Sequence, residues 1–120
     1  MTSKINQTLE KCFHCGLCKA NCPVYNTLLN ETVGPRGKAI LLKKGILDKV
    51  FYSCSLCKSC ESECPAKVEL ADEIKNAREK LVDKGMETDS NKKMIQNIRK
   101  FGNPFGEIKE GKMPKELYCC

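Results

Sequence analysis

The chain is 120 residues long, with a formal net charge of +6, 41% hydrophobic residues, ten cysteines, no tryptophan and seven phenylalanines and tyrosines. At this length it makes one small domain whose apolar core alone gives modest stability, a size at which bound metal commonly supplements folding. Its lysines are scattered and not gathered into a stripe with stacking aromatics, which argues against nucleic-acid binding, and its longest aliphatic run, AILL at 39–42, is far too short to span a bilayer.

Residues 4–11, KINQTLEK, predict a short helix leading into a cysteine-rich loop, CFHCGLCKANCP at 12–23. The stretch MTSKINQTLEK has no apolar h-region, so the chain is expected in the cytoplasm, where thiols stay reduced and clustered cysteines serve as metal ligands. After Pro23 a turn of helix is expected toward Leu29. In ETVGPRGKAILLKKG, Pro35 at a first helical position and Gly45 as a stop bracket a helix over 35–44, with Ala39, Ile40, Leu41 and Leu42 expected to pack inward.

LDKVFYS carries the chain into a second loop, CSLCKSCESECP at 54–65, and beyond Pro65 residues Leu70, Ile74, Ala77 and Leu81 recur at helical spacing before Gly85. A last helix over 90–101 follows the capping cluster Thr88, Asp89 and Ser90 and is expected to bury Met94, Ile95, Ile98 and Phe101, with GNPFG at 102–106 ending it. No segment alternates with period two, so the fold class is all-α. Two pseudo-repeated units, 12–31 and 54–84, each run cysteine loop, proline, helix. The cluster-binding domain is expected over 1–106, with the Lys- and Glu-rich segment 107–120 as a flexible or partner-bound tail.

The two loops share one grammar at a constant offset of 42 residues: Cys12, Cys15, Cys18, Cys22 and Pro23 map onto Cys54, Cys57, Cys60, Cys64 and Pro65. Three cysteines separated by two residues each can wrap one face of a compact cluster, and the fourth, three residues on, is aimed away. In bacterial-type ferredoxins with this spacing that fourth cysteine ligates the other cluster. The expected ligand sets therefore cross: Cys12, Cys15, Cys18 and Cys64 for one [4Fe-4S] cube, Cys54, Cys57, Cys60 and Cys22 for the other. Each proline extends the backbone of the cysteine before it and sets φ for a helix whose N-terminus faces a negatively charged cube. Cys18 and Cys22 are between about 6 Å apart if helical and about 14 Å if extended, which makes the cubes near neighbours. Two cubes of about −2 each would lower +6 to about +2, so part of the basic excess is counter-charge.

The rival metal reading is a pair of four-cysteine zinc sites in an interaction module, which would present two separated CxxC pairs and leaves the third cysteine of each triplet awkward. The lone His14 cannot build a Rieske centre, which takes two histidines, and is placed outside the ligand set. Gly16 is expected to serve the tight turn of its loop, and Leu17 and Leu56 to shield the clusters from water. No nucleophilic triad or phosphate-binding glycine loop is recognisable, so the isolated chain is expected to turn over no substrate.

The motifs CFHCGLCKANCPVY, GPRGK, CSLCKSCESECP and NPFG resemble the α-helical ferredoxin modules of heterodisulfide reductase small subunits and of related iron-sulfur oxidoreductases such as glycolate oxidase iron-sulfur subunits, over about residues 10 to 106. The resemblance implies an all-helical fold, two clusters held by the eight cysteines above, and electron relay to or from a larger redox subunit, either a Cys-Cys-Gly-type catalytic subunit or a flavoprotein. In many such proteins a catalytic cysteine-rich domain follows in the same chain, so an N-terminal fragment of a larger oxidoreductase is the alternative. Here the sequence reaches only ELYCC, and Cys119 and Cys120 lack the companion glycine and cysteines of that domain.

Overall fold

The computed structural model describes residues 5–114, with side chains from residue 8 onward. Its elements in chain order are α1 (Ile5–Glu10), α2 (Pro23–Leu28), α3 (Pro35–Lys43), α4 (Ser59–Ser62), α5 (Leu70–Asp83) and α6 (Asp89–Phe101), with 3-10 turns at Leu17–Lys19, Glu31–Val33 and Lys49–Ser53. Among the described residues there is no strand, and the all-α expectation holds. The described residues divide into two compact units, one up to Gly85 and one from Met86.

In the first unit α1, α3 and α5 pack on one another. α5 supplies most of the apolar surface: Leu70, Ala71, Ile74, Ala77 and Leu81 fall on one stripe and are all buried, as the helical spacing predicts. Leu9 of α1, Ala39 of α3, Phe51 and Val68 complete this core. Burying a side chain the size of Phe51, Ile74 or Leu81 contributes about 1.5–3 kcal/mol, and all three are essentially solvent-free.

Two expectations about α3 and α5 need correction. Four consecutive residues span most of a helix circumference and cannot share one face. Of Ala39, Ile40, Leu41 and Leu42, only Ala39 is buried, and the buried face of α3 is Pro35, Lys38 and Ala39 together with Gly37. Pro65, unlike Pro23, starts no helix. The chain turns after Cys64, Lys67 takes a left-handed φ of 51°, and α5 begins only at Leu70, where the Glu61 carboxylate accepts from Ala71 N at 2.8 Å. The helix start is thus set by a carboxylate ten residues upstream and not by the proline.

α3 ends where the sequence places its stop: Gly45 adopts φ 69°, its N–H reaches Leu42 O at 2.9 Å, and Ile46 N reaches Leu41 O at 2.9 Å. The start of α3 is tighter still, because Gly37 lies directly against the carbonyl of Glu31, which belongs to the preceding 3-10 turn.

The second unit holds α6, capped by the Thr88 hydroxyl accepting from Asn91 N at 3.3 Å and stopped by Gly102. The turn after it is laced by Asn97 and Asn103, whose side-chain amides donate to Pro104 O at 2.9 Å and Gly106 O at 3.0 Å. The expected burial of its apolar residues does not occur: Met94 and Ile95 are half-buried, while Ile98 and Phe101 keep 46% and 42% exposure. Within this unit α6 is the one helix among the described residues, so its stripe has no partner helix to close over it.

Glu73 is a local cost in the first unit. It is buried on α5, with Oε1 accepting from Thr8 Oγ1 at 3.2 Å and Oε2 without a partner. Burial pushes its carboxyl above the ordinary 4.5, opposed by the Thr8 hydroxyl. A raised folded pKa favours the protonated form, so the group's stabilising contribution is complete below the ordinary value and is lost as pH rises through the folded one. Glu73→Gln is therefore expected to raise the apparent thermal midpoint by a few degrees at pH 7.5, with the gain shrinking toward pH 4.5. Thermal scans of both proteins across that range check it.

Candidate metal centre

Each cysteine loop folds into the same backbone shape. His14 and Gly16 take left-handed φ of 60° and 85° in the first loop, and Leu56 and Lys58, their equivalents at the 42-residue offset, take 56° and 62° in the second. Left-handed positions curl the loop back on itself, and at one of them, Leu56, the N–H donates to the loop's own Cys54 Sγ at 3.4 Å. Gly16 meets this demand without a Cβ penalty, whereas Leu56 and Lys58 bear the strain of an L-residue.

Several sulfurs already accept amide hydrogen bonds. Cys22 caps α2 in extended backbone, its Sγ accepting from Tyr25 N at 3.4 Å; Cys54 Sγ accepts from Leu56 N at 3.4 Å, and Cys64 Sγ from Val68 N at 3.5 Å.

Two cavities open beside the core of the first unit. The first is lined by Cys12, Cys15, Cys18, Cys60 and Cys64, backed by Phe13, His14, Pro35, Ala39, Val68 and Leu70. The second is lined by Cys22, Cys54, Cys57 and Cys60, backed by Val24, Pro35, Lys38, Leu56, Leu70, Ala71 and Ile74. Pro35, Cys60 and Leu70 face both, so the cavities share one wall. All eight candidate cysteines are free thiols; Cys15 and Cys57 are exposed and the other six half-buried.

Crowding keeps the inner thiols protonated when nothing cationic is bound. Burial, then the charges of Cys12 and Cys15, push Cys18 up to about 11, with Cys64 adding to the effect. Burial, then Cys54 and Glu61, push Cys60 up to about 12. Thiolates at these positions need a positive centre beside them, which iron supplies. Among the described residues no three Cys, His, Asp or Glu side chains converge as ligands of a single ion would. The curled loops, four or five sulfurs to a cavity, and a buried Nε2 of His14 without a partner fit an anionic cluster whose sulfides accept hydrogen bonds.

The loops are held from behind. Arg78 of α5 donates to the carbonyls of Phe51 at 3.0 Å, Tyr52 at 3.4 Å and Cys54, fixing the entry to the second loop. Lys43 of α3 donates to Cys12 O at 3.0 Å in the first. Leu56 lines the second cavity as expected, but Leu17 does not line the first and is 59% exposed. The 3-10 turn Leu17–Lys19 points it outward, and Phe13, Val68 and Ala39 wall that cavity instead. His14 sits among the lining residues, in keeping with a loop residue packed on the cluster. Sequence reasoning missed Pro35, Lys38 and Leu70 as cavity residues. The spacing of Pro35, Lys38 and Ala39 at i, i+3 and i+4 was the signal that puts them on one face. Cys119 and Cys120 lie outside the described residues.

A helical frame whose two repeated cysteine loops open onto adjoining cavities defines a small two-cluster iron-sulfur domain. The chain belongs to the 4Fe-4S dicluster domain family, whose model matches residues 8–68, and it binds two [4Fe-4S] clusters. It is 37% identical over 68 residues to the glycolate oxidase iron-sulfur subunit of Escherichia coli, covering 50% of this chain and 17% of that one. It is 29% identical over 104 residues to an H(2):CoB-CoM heterodisulfide,ferredoxin reductase subunit of Methanothermobacter thermautotrophicus, covering 80% and 53%. With a CoB-CoM heterodisulfide reductase iron-sulfur subunit of Methanocaldococcus jannaschii it shares 27% over 101 residues, 82% of this chain and 54% of the other. The chain spans about half the length, or less, of these relatives.

Proposed function

We propose that this chain is a small electron-transfer subunit of an oxidoreductase complex of the heterodisulfide reductase kind, with Cys12, Cys15, Cys18 and Cys64 holding one cluster and Cys54, Cys57, Cys60 and Cys22 the other. The observation that carries the reading is the pair of cysteine-lined cavities sharing the wall Pro35, Cys60 and Leu70. The crossed assignment draws support from Cys64 lining the first cavity and Cys22 the second, each away from its own triplet's cavity. Cys60, which faces both, goes with Cys54 and Cys57 by its place in their triplet.

When bound, the clusters supply one-electron uptake and release. The chain's own residues do the rest. Arg78 and Lys43 fix the loops, the left-handed Leu56 turns its amide N–H toward the Cys54 sulfur, and Ala39, Val68, Leu70 and Ile74 keep water from the inner faces. The partner is a larger redox subunit, of the Cys-Cys-Gly catalytic type or a flavoprotein, which the exposed Cys15 and Cys57 would approach most closely. The proposed domain is 1–106, with 107–120 available to that partner. The reading sets the chain in the reducing cytoplasm. Among the described residues no helix is long and apolar enough to cross a membrane.

A second reading, an N-terminal piece of a catalytic oxidoreductase, is favoured by the 37% identity to a glycolate oxidase iron-sulfur subunit over only 17% of that protein. A coding continuation rich in Cys-Cys-Gly motifs would select it. For either reading, anaerobically purified protein is expected to hold about eight iron and eight acid-labile sulfide per chain and to bleach reversibly with a low-potential reductant. Zinc without sulfide, in a folded colourless protein, would overturn both.

A further inference from the structure

The two cavities differ in the cation set beside them. Arg36, on the first, gives its Nε to Glu31 Oε1 at 2.6 Å, and Lys19 gives its Nζ to the other oxygen of Glu31 at 3.0 Å. Those three side chains keep between 22% and 41% of their surface in water, so solvent and salt screen what charge they leave.

Lys38, on the second cavity, is 2% exposed. Its Nζ donates to the Val33 carbonyl, and among the described residues no carboxylate stands within ion-pair distance of it. Cys54, Cys22 and Cys60, three of the four cysteines on that cavity, line it together with Lys38. The other charges around this cavity are Lys58 on its lining, 53% exposed and paired with Glu61 at 3.7 Å and Asp72 at 3.9 Å; Arg78, spent on three loop carbonyls; and Glu61, which also caps Ala71. A lysine buried without an acidic partner is rare in a folded core, because an ammonium is costly to desolvate without an opposing charge. An anionic cluster in this cavity would supply that opposing charge.

We propose that Lys38 is a potential-setting residue: its buried ammonium, without a carboxylate partner, favours the extra negative charge of a reduced second cluster, while the cations beside the first, Arg36 and Lys19 sharing Glu31 and Lys43 on the Cys12 carbonyl, lie partly in water and are screened. The second cluster is then the more easily reduced of the two, and the first electron taken up rests there. This rests on the ligand sets proposed above, and the Cys22→Ser variant discussed below tests those separately.

The experiment is anaerobic potentiometric titration with dithionite, followed by electron paramagnetic resonance, on the full chain carrying both clusters. In Lys38→Met, which keeps the length and removes the charge, the higher of the two potentials is expected to fall by at least the equivalent of a tenfold weaker reduction equilibrium, about 59 mV for one electron. The lower potential should move much less, and Lys38→Arg should keep the wild-type pair. Glu31→Gln, which acts only on the exposed side, is expected to raise the lower potential by a smaller step. Iron and sulfide content of each variant separates an electrostatic effect from loss of a cluster. Unchanged potentials in a fully loaded Lys38→Met protein, or equal shifts of both clusters, would overturn the proposal. If Lys38→Met fails to load, Lys38→Gln, uncharged but still a donor for the Val33 carbonyl, decides: a fall of the higher potential alone supports the proposal, and no movement overturns it.

Discussion

Cys22→Ser is expected to cost the protein one cluster and spare the other, with iron and acid-labile sulfide falling from about eight of each to about four. The argument is topological. Cys22 sits four residues past Cys18 in the first loop, yet Cys18 lines the first cavity and Cys22 the second, alongside Cys54, Cys57 and Cys60. Its sulfur is held in place by the Tyr25 amide at the start of α2. A serine oxygen is a poor substitute for a thiolate toward iron, so on the proposed crossed assignment the cluster of Cys54, Cys57 and Cys60 would lose its fourth ligand. Cys64→Ser should do the converse and strip the cluster of Cys12, Cys15 and Cys18. Iron analysis, with spectroscopy of the reduced variants, distinguishes these outcomes. Loss of the first-triplet cluster in Cys22→Ser would refute the crossed assignment.

The second large effect involves no sulfur. A Cβ on Gly37 would lie 2.0 Å from Glu31 O, 2.8 Å from Glu31 C and 3.0 Å from Thr32 Cα. All three are backbone atoms of the 3-10 turn packed on α3, and backbone cannot rotate aside as a side chain can. Gly37→Ala is therefore expected to destabilise by at least the upper end of the about 1–3 kcal/mol usual for overpacking. It should also displace Pro35, Lys38 and Ala39, which line the cavities. Denaturant midpoint and iron content of the purified variant should fall together. Gly34→Ala is a calibrating contrast: its added carbon would meet the Tyr25 ring at 2.9 Å and Glu31 O at 3.3 Å, a milder crowding of backbone than the 2.0 Å at Gly37, and the loss should be smaller.

How much of this was legible in the sequence follows from how local each determinant is. The cysteine spacing is covalent, so candidate ligands and repeat could be read directly, and the Pro35 start and Gly45 stop of α3 are chosen within a few residues. The stripe of α5 was equally plain, because 3.6-residue periodicity needs no partner to be visible. What escaped depends on distant chain. Pro65 looks equivalent to Pro23, but the helix start that matters is set by Glu61 reaching Ala71. Leu17 and Leu56 each sit one residue before a loop cysteine, Cys18 and Cys57, and the turn at Leu17–Lys19 leaves the first facing solvent. The apolar residues of α6 announce a buried face, but among the described residues of its own unit no second helix is there to bury it. Lys38 escaped because a lysine reads as surface, and nothing nearby in the chain declares that its charge is turned inward.

The shared wall of Pro35, Cys60 and Leu70 has a consequence for how such a domain can change. A side chain that lines both cavities cannot be altered for the sake of one: a substitution at Pro35 or Leu70 is expected to change packing, solvent access and local dielectric in both at once. The outer residues of each loop are free to diverge independently, but this septum binds the two centres into a single inherited unit.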